Sequence, residues 1–496
     1  MPREMSDSAP LAASPDTRWS QAGTHPAEVP LSQSIIIGIT GILDAAATII
    51  SGLLVYALYV AGENPDKLYF YAVTVGLYAV VFVQTLYAAG MYRFARIIEP
   101  GGQVPRIVTV GTILFLVFLA CGFILKISAD YSRVWAFGWL AVSMVAVVMS
   151  RFAVASLVRR WATSGRIRRR IVIYGGETQG ERLIDHIEKL NEPWNQIVGV
   201  FDDRLSRIGE AVGGYPVLGR LDDLVDWCRR NRADDILLAL PWSADMRLLE
   251  ITRELAALPV NIRLSPEVVG ARLAHQRTSH QFGIPMLNLM EKPMSGWSAV
   301  VKRVLDLVLG SIFVVLGLPL LILSALAIKL ESPGPVFFRQ QRYGFNHQLI
   351  EVFKFRTMYV DCLDANAEQL TRRNDPRITR VGAWLRRLSI DELPQLLNVL
   401  RGEMSVVGPR PHALRAKAGG KLYEDVVDEY AVRHKVKPGI TGWAQVNGWR
   451  GSTDREEDLI GRVEHDLYYI DNWSVLFDLN IILRTAWVVL QGKNSF

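Results

Sequence analysis

The chain has 496 residues and a formal net charge of +6, and half of its residues are hydrophobic although 21% are charged. This balance argues against a small soluble domain and predicts separate membrane and aqueous parts, with nucleic acid, anionic lipid or a phosphorylated substrate as partners for the positive charge. The three cysteines and eight histidines are scattered without metal-ligand or redox spacing, which argues against a zinc enzyme.

The N-terminal third predicts a tail followed by a membrane bundle. Residues 1–31, rich in small and polar side chains, predict a disordered tail. Within residues 32–160, four apolar runs of bilayer-spanning length predict four transmembrane helices: Ser34–Ala61, Leu68–Ala89, Ile107–Ile127 and Val134–Val158. Asp44 lies inside the first run, where a lone acid is costly, so we expect it to face the bundle in a structural polar contact.

Arginines beside these runs predict the orientation of the bundle. The first connection, 62–67, is balanced or slightly acidic, whereas the second connection and the end of the fourth run carry arginines: Arg93, Arg96, Arg106, Arg159, Arg160, Arg166, Arg168, Arg169 and Arg170. The positive-inside rule then places both ends of the bundle, and everything after Arg170, in the cytoplasm.

Residues 165–265 alternate between strand and helix patterns and predict a Rossmann-like α/β domain with a small doubly wound sheet. The turn Gly175–Gly180 follows the first predicted strand and opens a helix. It could cradle a nucleotide phosphate, but it lacks the full dinucleotide spacing. We therefore favour a structural or regulatory role for this domain.

Residues 266–297 predict a linker, after which residues 298–496 predict a catalytic domain. Its first segment, Val300–Leu330, is a long apolar run broken by Pro319, which must bend a helix. A kinked spanning helix and a re-entrant hairpin compete for this run. Basic residues at both ends favour the hairpin, because a spanning helix would place the arginine-rich remainder on the far side. The last run, Trp473–Leu490, predicts an amphipathic helix lying in the membrane interface.

The sequence from Ser389 to Gln395 contains the adjacent carboxylates Asp391 and Glu392. Adjacent acids can attack a phosphorus atom or hold a divalent metal. Ser389 and Glu392 also have capping-box spacing, so the alternative is that the acids merely start a helix.

Cations and a glycine-rich loop surround this acidic pair in the sequence and favour the chemical reading. The candidate cations are Arg342, Lys354, Arg356, Arg386 and Arg410, the last held between two prolines. The loop Pro438–Gly448 adds Thr441, Gln445 and Asn447 beside a tryptophan. Arginines suit phosphates, whereas amides and an aromatic ring suit a nucleobase. The set therefore predicts a site for a nucleoside diphosphate.

Residues 298–496 resemble the bacterial sugar transferase family, the monotopic phosphoglycosyl transferases. The motifs that carry the resemblance are Glu331–Val336, Lys354–Met358, Asp391–Gln395, Gly408–Pro411 and Pro438–Gly448. The layout of the whole chain after the tail is similar to the undecaprenyl-phosphate glucose phosphotransferases of exopolysaccharide synthesis. The resemblance implies a membrane protein with a four-helix transmembrane bundle, a Rossmann-like α/β domain and a mixed α/β monotopic catalytic domain with a re-entrant helix hairpin.

The resemblance also implies a reaction. A UDP-sugar and undecaprenyl phosphate would give undecaprenyl-diphosphate-sugar and UMP, with glucose as the expected sugar and galactose or an N-acetylated sugar left open. Asp391 would be the nucleophile, Glu392 would assist through the metal or as a base, and Mg²⁺ would bridge both carboxylates and the diphosphate. Arg386 and Arg410 would hold phosphate charge, with Arg342, Lys354, Arg356, Thr441, Gln445 and Asn447 binding substrate.

The same resemblance implies the bacterial inner membrane as the location, with membrane lipid as a partner, no nucleic acid, and a homodimer as an open option. One departure concerns the hairpin break, where the family commonly has serine before the proline and this chain has Leu318.

Two other readings stay open. A membrane-bound nucleotide-sugar dehydratase or epimerase would need an intact dinucleotide motif, and a non-enzymatic lipid-carrier scaffold would use the acids only as caps.

Overall fold

The computed structural model describes residues 32–165, 167–190, 192–241, 244–265, 278–279, 286–362, 375–412, 417–418, 421–427, 429–449 and 455–491. The tail predicted for residues 1–31 lies outside the described residues. The described chain divides into two compact units at residue 169. Five of the described helices are long and apolar enough to cross a membrane, four in the first unit and one in the second.

The described part of the first unit is helical. Its α-helices are α1 (Gln33–Tyr59), α2 (Leu68–Ala88), α3 (Phe94–Ile98), α4 (Val104–Ile124) and α5 (Arg133–Thr163). The four long helices coincide with the four predicted apolar runs to within a few residues. They share an aromatic core that includes Tyr71, Tyr78, Trp135 and Trp139, while large apolar side chains cover their outer faces, as expected of surfaces in contact with lipid.

The acid inside α1 is paired, as predicted. The carboxylate of Asp44 is buried, 2.6 Å from Nη2 of Arg151 on α5 and 2.7 Å from the hydroxyl of Tyr92. Arg151 also donates hydrogen bonds to the carbonyl of Met91 and to Oε1 of Gln103. The predicted structural contact of Asp44 is confirmed, and Arg151 is a partner that the sequence analysis did not identify.

The second unit begins with a mixed eight-stranded sheet. In chain order its elements are β1 (Arg169–Tyr174), α6 (Thr178–Lys189), β2 (Asn195–Phe201), β3 (Ala211–Val212), β4 (Tyr215–Gly219), α7 (Leu221–Arg230), β5 (Asp235–Leu238), α8 (Asp245–Leu255), β6 (Asn261–Leu264), β7 (Thr278–Ser279) and β8 (Met286–Met290). The strand order is β3-β4-β2-β1-β5-β6-β8-β7, with β1, β5 and β6 parallel. Strand β8 lies in the segment predicted as a linker and pairs antiparallel with β6, so the sheet extends beyond residue 265.

The glycine turn after β1 is tightly packed. A Cβ on Gly175 would lie 2.6 Å from the carbonyl oxygen of Ala239, and one on Gly180 would lie 2.1 Å from that of Gly175. The N–H of Gly176 donates a 2.8 Å hydrogen bond to the buried carboxylate of Asp202. Glycine at this turn therefore serves close packing, and the Asp202 anion already occupies a backbone donor that a nucleotide phosphate would use.

The catalytic part continues with α9 (Trp297–Glu331), β9 (Phe337–Tyr343), β10 (Leu349–Phe355), α10 (Arg380–Arg387), α11 (Gln395–Arg401), β11 (Ser405–Val407), β12 (Lys417–Ala418), β13 (Lys421–Leu422), α12 (Tyr423–Val426), β14 (Gly439–Thr441), α13 (Trp443–Val446), α14 (Glu456–Asp471) and α15 (Val475–Gln491). Strands β9 and β10 form an antiparallel hairpin, and β11 pairs parallel with β14.

Both ends of α9 pack on the same catalytic part. Near its start, Lys302 and Arg303 donate to carbonyls of Val407 and of α11. Near its end, Ile328 packs with Phe355 of β10 and Leu385 of α10. Between these anchors the helix contains Pro319 and carries mostly exposed apolar side chains.

The C-terminal helix α15 differs from its prediction in one respect. Asp478 lies in the run predicted as an interfacial amphipathic helix, yet its carboxylate is buried, 2.6 Å from Nζ of Lys302 and 2.8 Å from the hydroxyl of Tyr469. The partner of Asp478 lies 176 residues earlier in the chain, so local periodicity could not reveal it. Leu476, Leu483 and Trp487 form an exposed apolar stripe on the same helix.

Candidate active site

A reversal of the chain between α10 and α11 positions the two adjacent carboxylates. Helix α10 ends before Ser389, which adopts a left-handed conformation with φ of 58°. A short 3₁₀ helix over Ile390–Glu392 follows and leads into α11. The Ser389 side chain makes no capping hydrogen bond, so the capping box is absent, although both acids lie in the first turn of the 3₁₀ helix.

Asn398 of α11 aligns this turn with strand β10. Its side chain accepts a 3.1 Å hydrogen bond from the backbone N–H of Phe353 and donates a 2.7 Å bond to the carbonyl of Glu351. Asn398 is fully buried. The edge of the hairpin is thereby held beside α11, which brings Lys354 within reach of Glu392.

Glu392 is held between cations. Arg410 binds it with two hydrogen bonds, Nη2 to Oε1 at 2.6 Å and Nη1 to Oε2 at 3.0 Å, and Nζ of Lys354 lies 3.2 Å from Oε1. Burial by itself would raise the pKa of Glu392, but Arg410 and Lys354 hold it well below its usual range. A carboxylate of this kind stays ionised and is a weak base, which argues against the base role that the resemblance allowed.

Asp391 has the opposite environment. No described residue donates a hydrogen bond to its carboxylate, although Lys354, Arg386 and Arg410 lie close enough to interact electrostatically. Burial and the adjacent Glu392 charge raise the pKa of Asp391 to about 6. Asp391 is therefore an ionised but relatively basic carboxylate at neutral pH, available to a substrate atom.

Two further predicted cations complete the cluster. Arg386 donates from Nε to the hydroxyl of Thr357 at 2.8 Å, and Arg342 donates to Gln340 and to the carbonyl of Pro411. Burial, reinforced by Arg410, lowers the pKa of Arg342 to about 10. Burial likewise lowers the pKa of Lys354 to about 8, against the opposing effect of Glu392. Four cations thus surround two acids, an excess that suits a polyanionic substrate.

The segment that carries Arg410 lacks regular structure and is held by its neighbours. The N–H of Gly439 donates to the carbonyl of Pro409, and Nη2 of Arg433 donates to the carbonyl of Arg410 at 2.7 Å. Arg433 is itself buried in an ion pair with Asp466 at 2.6 Å and contacts His412. Roles for Arg433, Asp466 and His412 were not predicted from the sequence. His412 directly follows the Gly408–Pro411 motif, and Asp466 begins the segment Asp466–Ile470 that also resembles the family.

Arg356 does not join the cluster. It is 1% exposed, and its guanidinium donates to the carbonyls of Pro333 and Ser332 at 2.6 and 2.8 Å, at the end of α9. These hydrogen bonds anchor the end of α9, and a substrate-binding role for Arg356 stays a prediction.

The loop residues Thr441, Gln445 and Asn447 lie beside the Arg410 segment, but their side chains bond to the loop itself or to α15. Thr441 bonds to the hydroxyl of Thr485, Gln445 donates to the carbonyl of Ile440, and Asn447 donates to that of Trp443. Within the described residues, Oε1 of Gln445 is buried without a hydrogen-bond partner. Of the three, Gln445 is the one that retains a buried polar atom free for a ligand.

Among the described residues of this cluster, Asp391 is the carboxylate left available for a metal. Among the described residues there is no group of three or more His, Cys, Asp or Glu side chains that could hold an ion. Both oxygens of Glu392 already accept from cations, so Asp391 is the available protein ligand. One carboxylate plus substrate phosphates is a usual way to bind Mg²⁺. The residues therefore fit Mg²⁺ that is held jointly by Asp391 and a diphosphate.

Two family models match the chain. A model described as bacterial sugar transferase matches residues 297–492, which contain all of the clustered side chains. A model described as CoA-binding domain matches residues 87–266, which contain most of the mixed sheet.

Three curated relatives show the extent of the similarity. UDP-glucose:undecaprenyl-phosphate glucose-1-phosphate transferase of Escherichia coli (strain K12) is 39% identical over 366 residues, 73% of this chain and 76% of that protein. The protein of the same name from Xanthomonas campestris pv. campestris is 32% identical over 464 residues, 92% of this chain and 94% of its own. Exopolysaccharide production protein PSS of Rhizobium leguminosarum bv. phaseoli is 52% identical over 197 residues, 40% of this chain and 98% of its own.

Proposed function

Because this chain belongs to the bacterial sugar transferase family, we propose that it transfers glucose-1-phosphate from UDP-glucose to undecaprenyl phosphate and releases UMP. The observation that carries the proposal is the unequal state of the two adjacent acids. Glu392 is neutralised by Arg410 and Lys354, whereas Asp391 accepts no hydrogen bond from any described residue and lies next to the same cations.

The chemistry proceeds in two displacements at one phosphorus atom. A carboxylate oxygen of Asp391 attacks the sugar-linked phosphorus of UDP-glucose, and the bond from that phosphorus to the bridging oxygen breaks, so that UMP leaves. A phosphate oxygen of undecaprenyl phosphate then attacks the same phosphorus and displaces Asp391, which regenerates the free carboxylate. A covalent intermediate suits this reaction because one substrate is soluble and the other is a lipid.

The cations stabilise the charge that develops during both displacements. Arg410 is oriented by its paired hydrogen bonds to Glu392, and Lys354 is fixed by the same carboxylate. Arg386 and Arg342 lie at the edge of the cluster and add positive potential for the diphosphate. Fixed cations in a buried site stabilise a phosphoryl transition state strongly because they need little reorganisation. Glu392 therefore acts by positioning these cations.

Mg²⁺ fits this site with Asp391 and the diphosphate oxygens as ligands. When bound, the metal would neutralise diphosphate charge and thereby make UMP a better leaving group. We assign Glu392 no ligand role because its oxygens are already used by Arg410 and Lys354.

The chain is a membrane protein, and we propose that it lies in the bacterial inner membrane with its catalytic part on the cytoplasmic face. We also propose that α9 is a re-entrant hairpin bent at Pro319. This proposal is supported by the anchoring of both helix ends on one body and by the exposed apolar side chains between them. The exposed stripe on α15 would lie in the same interface. A homodimer stays a prediction.

The test combines turnover with detection of the intermediate. Purified protein incubated with UDP-glucose, Mg²⁺ and undecaprenyl phosphate should release UMP, and Asp391→Asn should abolish release while retaining the thermal midpoint of the parent. With UDP-glucose alone, mass spectrometry should find a hexose phosphate on the peptide containing Asp391. Retained turnover in Asp391→Asn, or modification of another side chain, would refute the mechanism.

A further inference from the structure

The tip of the β9–β10 hairpin contacts the mixed sheet domain. Nδ2 of Asn346 donates to the carbonyl of Cys228 at 3.0 Å and lies 3.5 Å from that of Arg229, both in the last turn of α7. The last carbonyls of a helix have no partner within the helix. A side chain from the catalytic part thus satisfies the end of a helix that belongs to the α/β sheet.

The backbone of the tip explains why Asn346 can reach α7. Asn346 and His347 both adopt left-handed conformations, with φ of 54° and 59°. Two successive left-handed residues match the twist of a β-hairpin, and asparagine tolerates this conformation well. The turn is closed by a 2.7 Å hydrogen bond from the N–H of Gly344 to the carbonyl of Gln348.

His347 transmits the position of the tip to the catalytic core. Its ring stacks on Tyr343 with centroids 3.9 Å apart, and its Nδ1 lies 3.2 Å from Nδ1 of His434. Burial and the neighbouring arginines lower the pKa of both histidines, so both rings are neutral at pH 7 and one can donate to the other. His434 lies in the 3₁₀ helix Tyr430–Lys435.

Arg433, the residue before His434, holds the backbone of the catalytic arginine. Its Nη2 donates to the carbonyl of Arg410 at 2.7 Å, and Arg410 in turn binds Glu392 at 2.6 Å. A continuous set of contacts therefore runs from α7 through the hairpin tip and the 3₁₀ helix to Glu392. Each contact in this set involves a buried or half-buried side chain.

We propose that Asn346 and Arg433 are positioning residues and that the α/β sheet domain supports the active site through them by fixing Arg410. The inference rests on the proposed function for its activity measurement. It assigns the sheet domain a role that does not depend on a bound nucleotide. Without the α7 contact, the tip, His347 and the 3₁₀ helix would lose a common support, and Arg410 would sample positions away from Glu392.

The experiment uses the full chain, three single variants, and the double variant that combines Asn346→Gly with Arg433→Lys. Asn346→Gly keeps the left-handed turn and removes the amide, whereas Arg433→Lys keeps the charge and loses the paired donors. Glu351→Gln is the matched control, because Glu351 is an exposed side chain on the same hairpin whose recorded partner is Arg339. The readouts are kcat for UMP release and hydrogen–deuterium exchange of peptides covering residues 405–412.

We expect Asn346→Gly to lower kcat about fivefold, which corresponds to the free-energy contribution of one hydrogen bond. Arg433→Lys should lower kcat further. The double variant should resemble Arg433→Lys within a factor of two, since both changes act on one path. Exchange over residues 405–412 should rise in Asn346→Gly while exchange in β1 and turnover by Glu351→Gln stay at the parent level.

Several results would overturn the inference: parent-like turnover in Asn346→Gly, multiplying effects in the double variant, unchanged exchange over residues 405–412, or increased exchange in β1. Absence of turnover in the parent chain would instead refute the proposed function, and the exchange measurement would still decide the positioning role.

Discussion

Replacing Glu392 by glutamine separates a positioning carboxylate from a catalytic base. The substitution keeps the size of the side chain but removes the charge that binds Arg410 at 2.6 Å and Lys354 at 3.2 Å. One glutamine oxygen can still accept a hydrogen bond, while its NH₂ group would face the donors of Arg410. Both cations, which are half-buried, would then lie beside Asp391 without their main partner.

The expected effect follows from the lost contacts. A charge-assisted hydrogen bond contributes about 1.5–3 kcal/mol, and Glu392→Gln loses at least one to Arg410 together with the ion pair to Lys354. A loss of about 3 kcal/mol in transition-state stabilisation corresponds to roughly a 100-fold fall in kcat/KM. Thermal stability should also fall, because two half-buried cations lose their main partner.

The pH dependence of kcat/KM distinguishes the roles. Activity requires ionised Asp391 and protonated Lys354, so the parent should lose activity below about pH 6, the pKa of Asp391, and above about pH 8, that of Lys354. The Glu392 charge raises both pKa values, so Glu392→Gln should move both limbs to lower pH.

The assay is UMP release under kcat/KM conditions from pH 5 to 9. Glu351→Gln is the control and should keep the pH dependence of the parent. If Glu392 were the base, its replacement would remove one limb and leave the other in place. That result, or limbs that do not move, would refute the positioning role.

Three other outcomes are expected. Arg356→Met should lower the thermal midpoint while leaving the KM for UDP-glucose within twofold, because its guanidinium serves the carbonyls of Ser332 and Pro333; a raised KM at parent stability would support the substrate role. Arg151→Met should destabilise the first unit by about 3–5 kcal/mol by leaving Asp44 buried and unpaired, and Asp44→Leu in the same chain should recover part of the loss in thermal unfolding; no change in midpoint would show that the pair is dispensable. Cysteines placed at the exposed positions Ser295 and Pro335, on the two sides of α9, should both react with an impermeant maleimide from the cytoplasmic side only, and opposite-side labelling would refute the hairpin.

The membrane helices and the acidic pair could be predicted because their signals are local. A long apolar run identifies a spanning helix with no knowledge of its neighbours, and an acid within such a run, Asp44, must find a partner. Adjacent acids followed by an arginine between prolines likewise indicated phosphoryl chemistry within a short stretch. The structure brings Asp391, Glu392 and Arg410 together as expected.

The contacts that could not be predicted join distant parts of the chain. Lys354 and Arg356 are both cationic and lie two residues apart in the same motif. Lys354 nevertheless binds Glu392, whereas Arg356 binds the end of α9. Strand β10 ends at Phe355, so the alternation of side chains along a strand does not predict where the Arg356 side chain lies. The burial of Asp478 could not be predicted for a similar reason, since only the fold places Lys302 next to it.

The pair between Lys302 and Asp478 also orders events during synthesis. Lys302 leaves the ribosome 176 residues before Asp478, an interval of about 10–35 s at ordinary bacterial elongation rates. Until the final helix emerges, the acidic partner of Lys302 is Asp306 of the same helix, and the closer ion pair with Asp478 forms only afterwards. A nonsense mutation shortly before α15 would leave this closer ion pair unformed, and such a product should be removed by quality-control proteases even though its catalytic acids have already been translated.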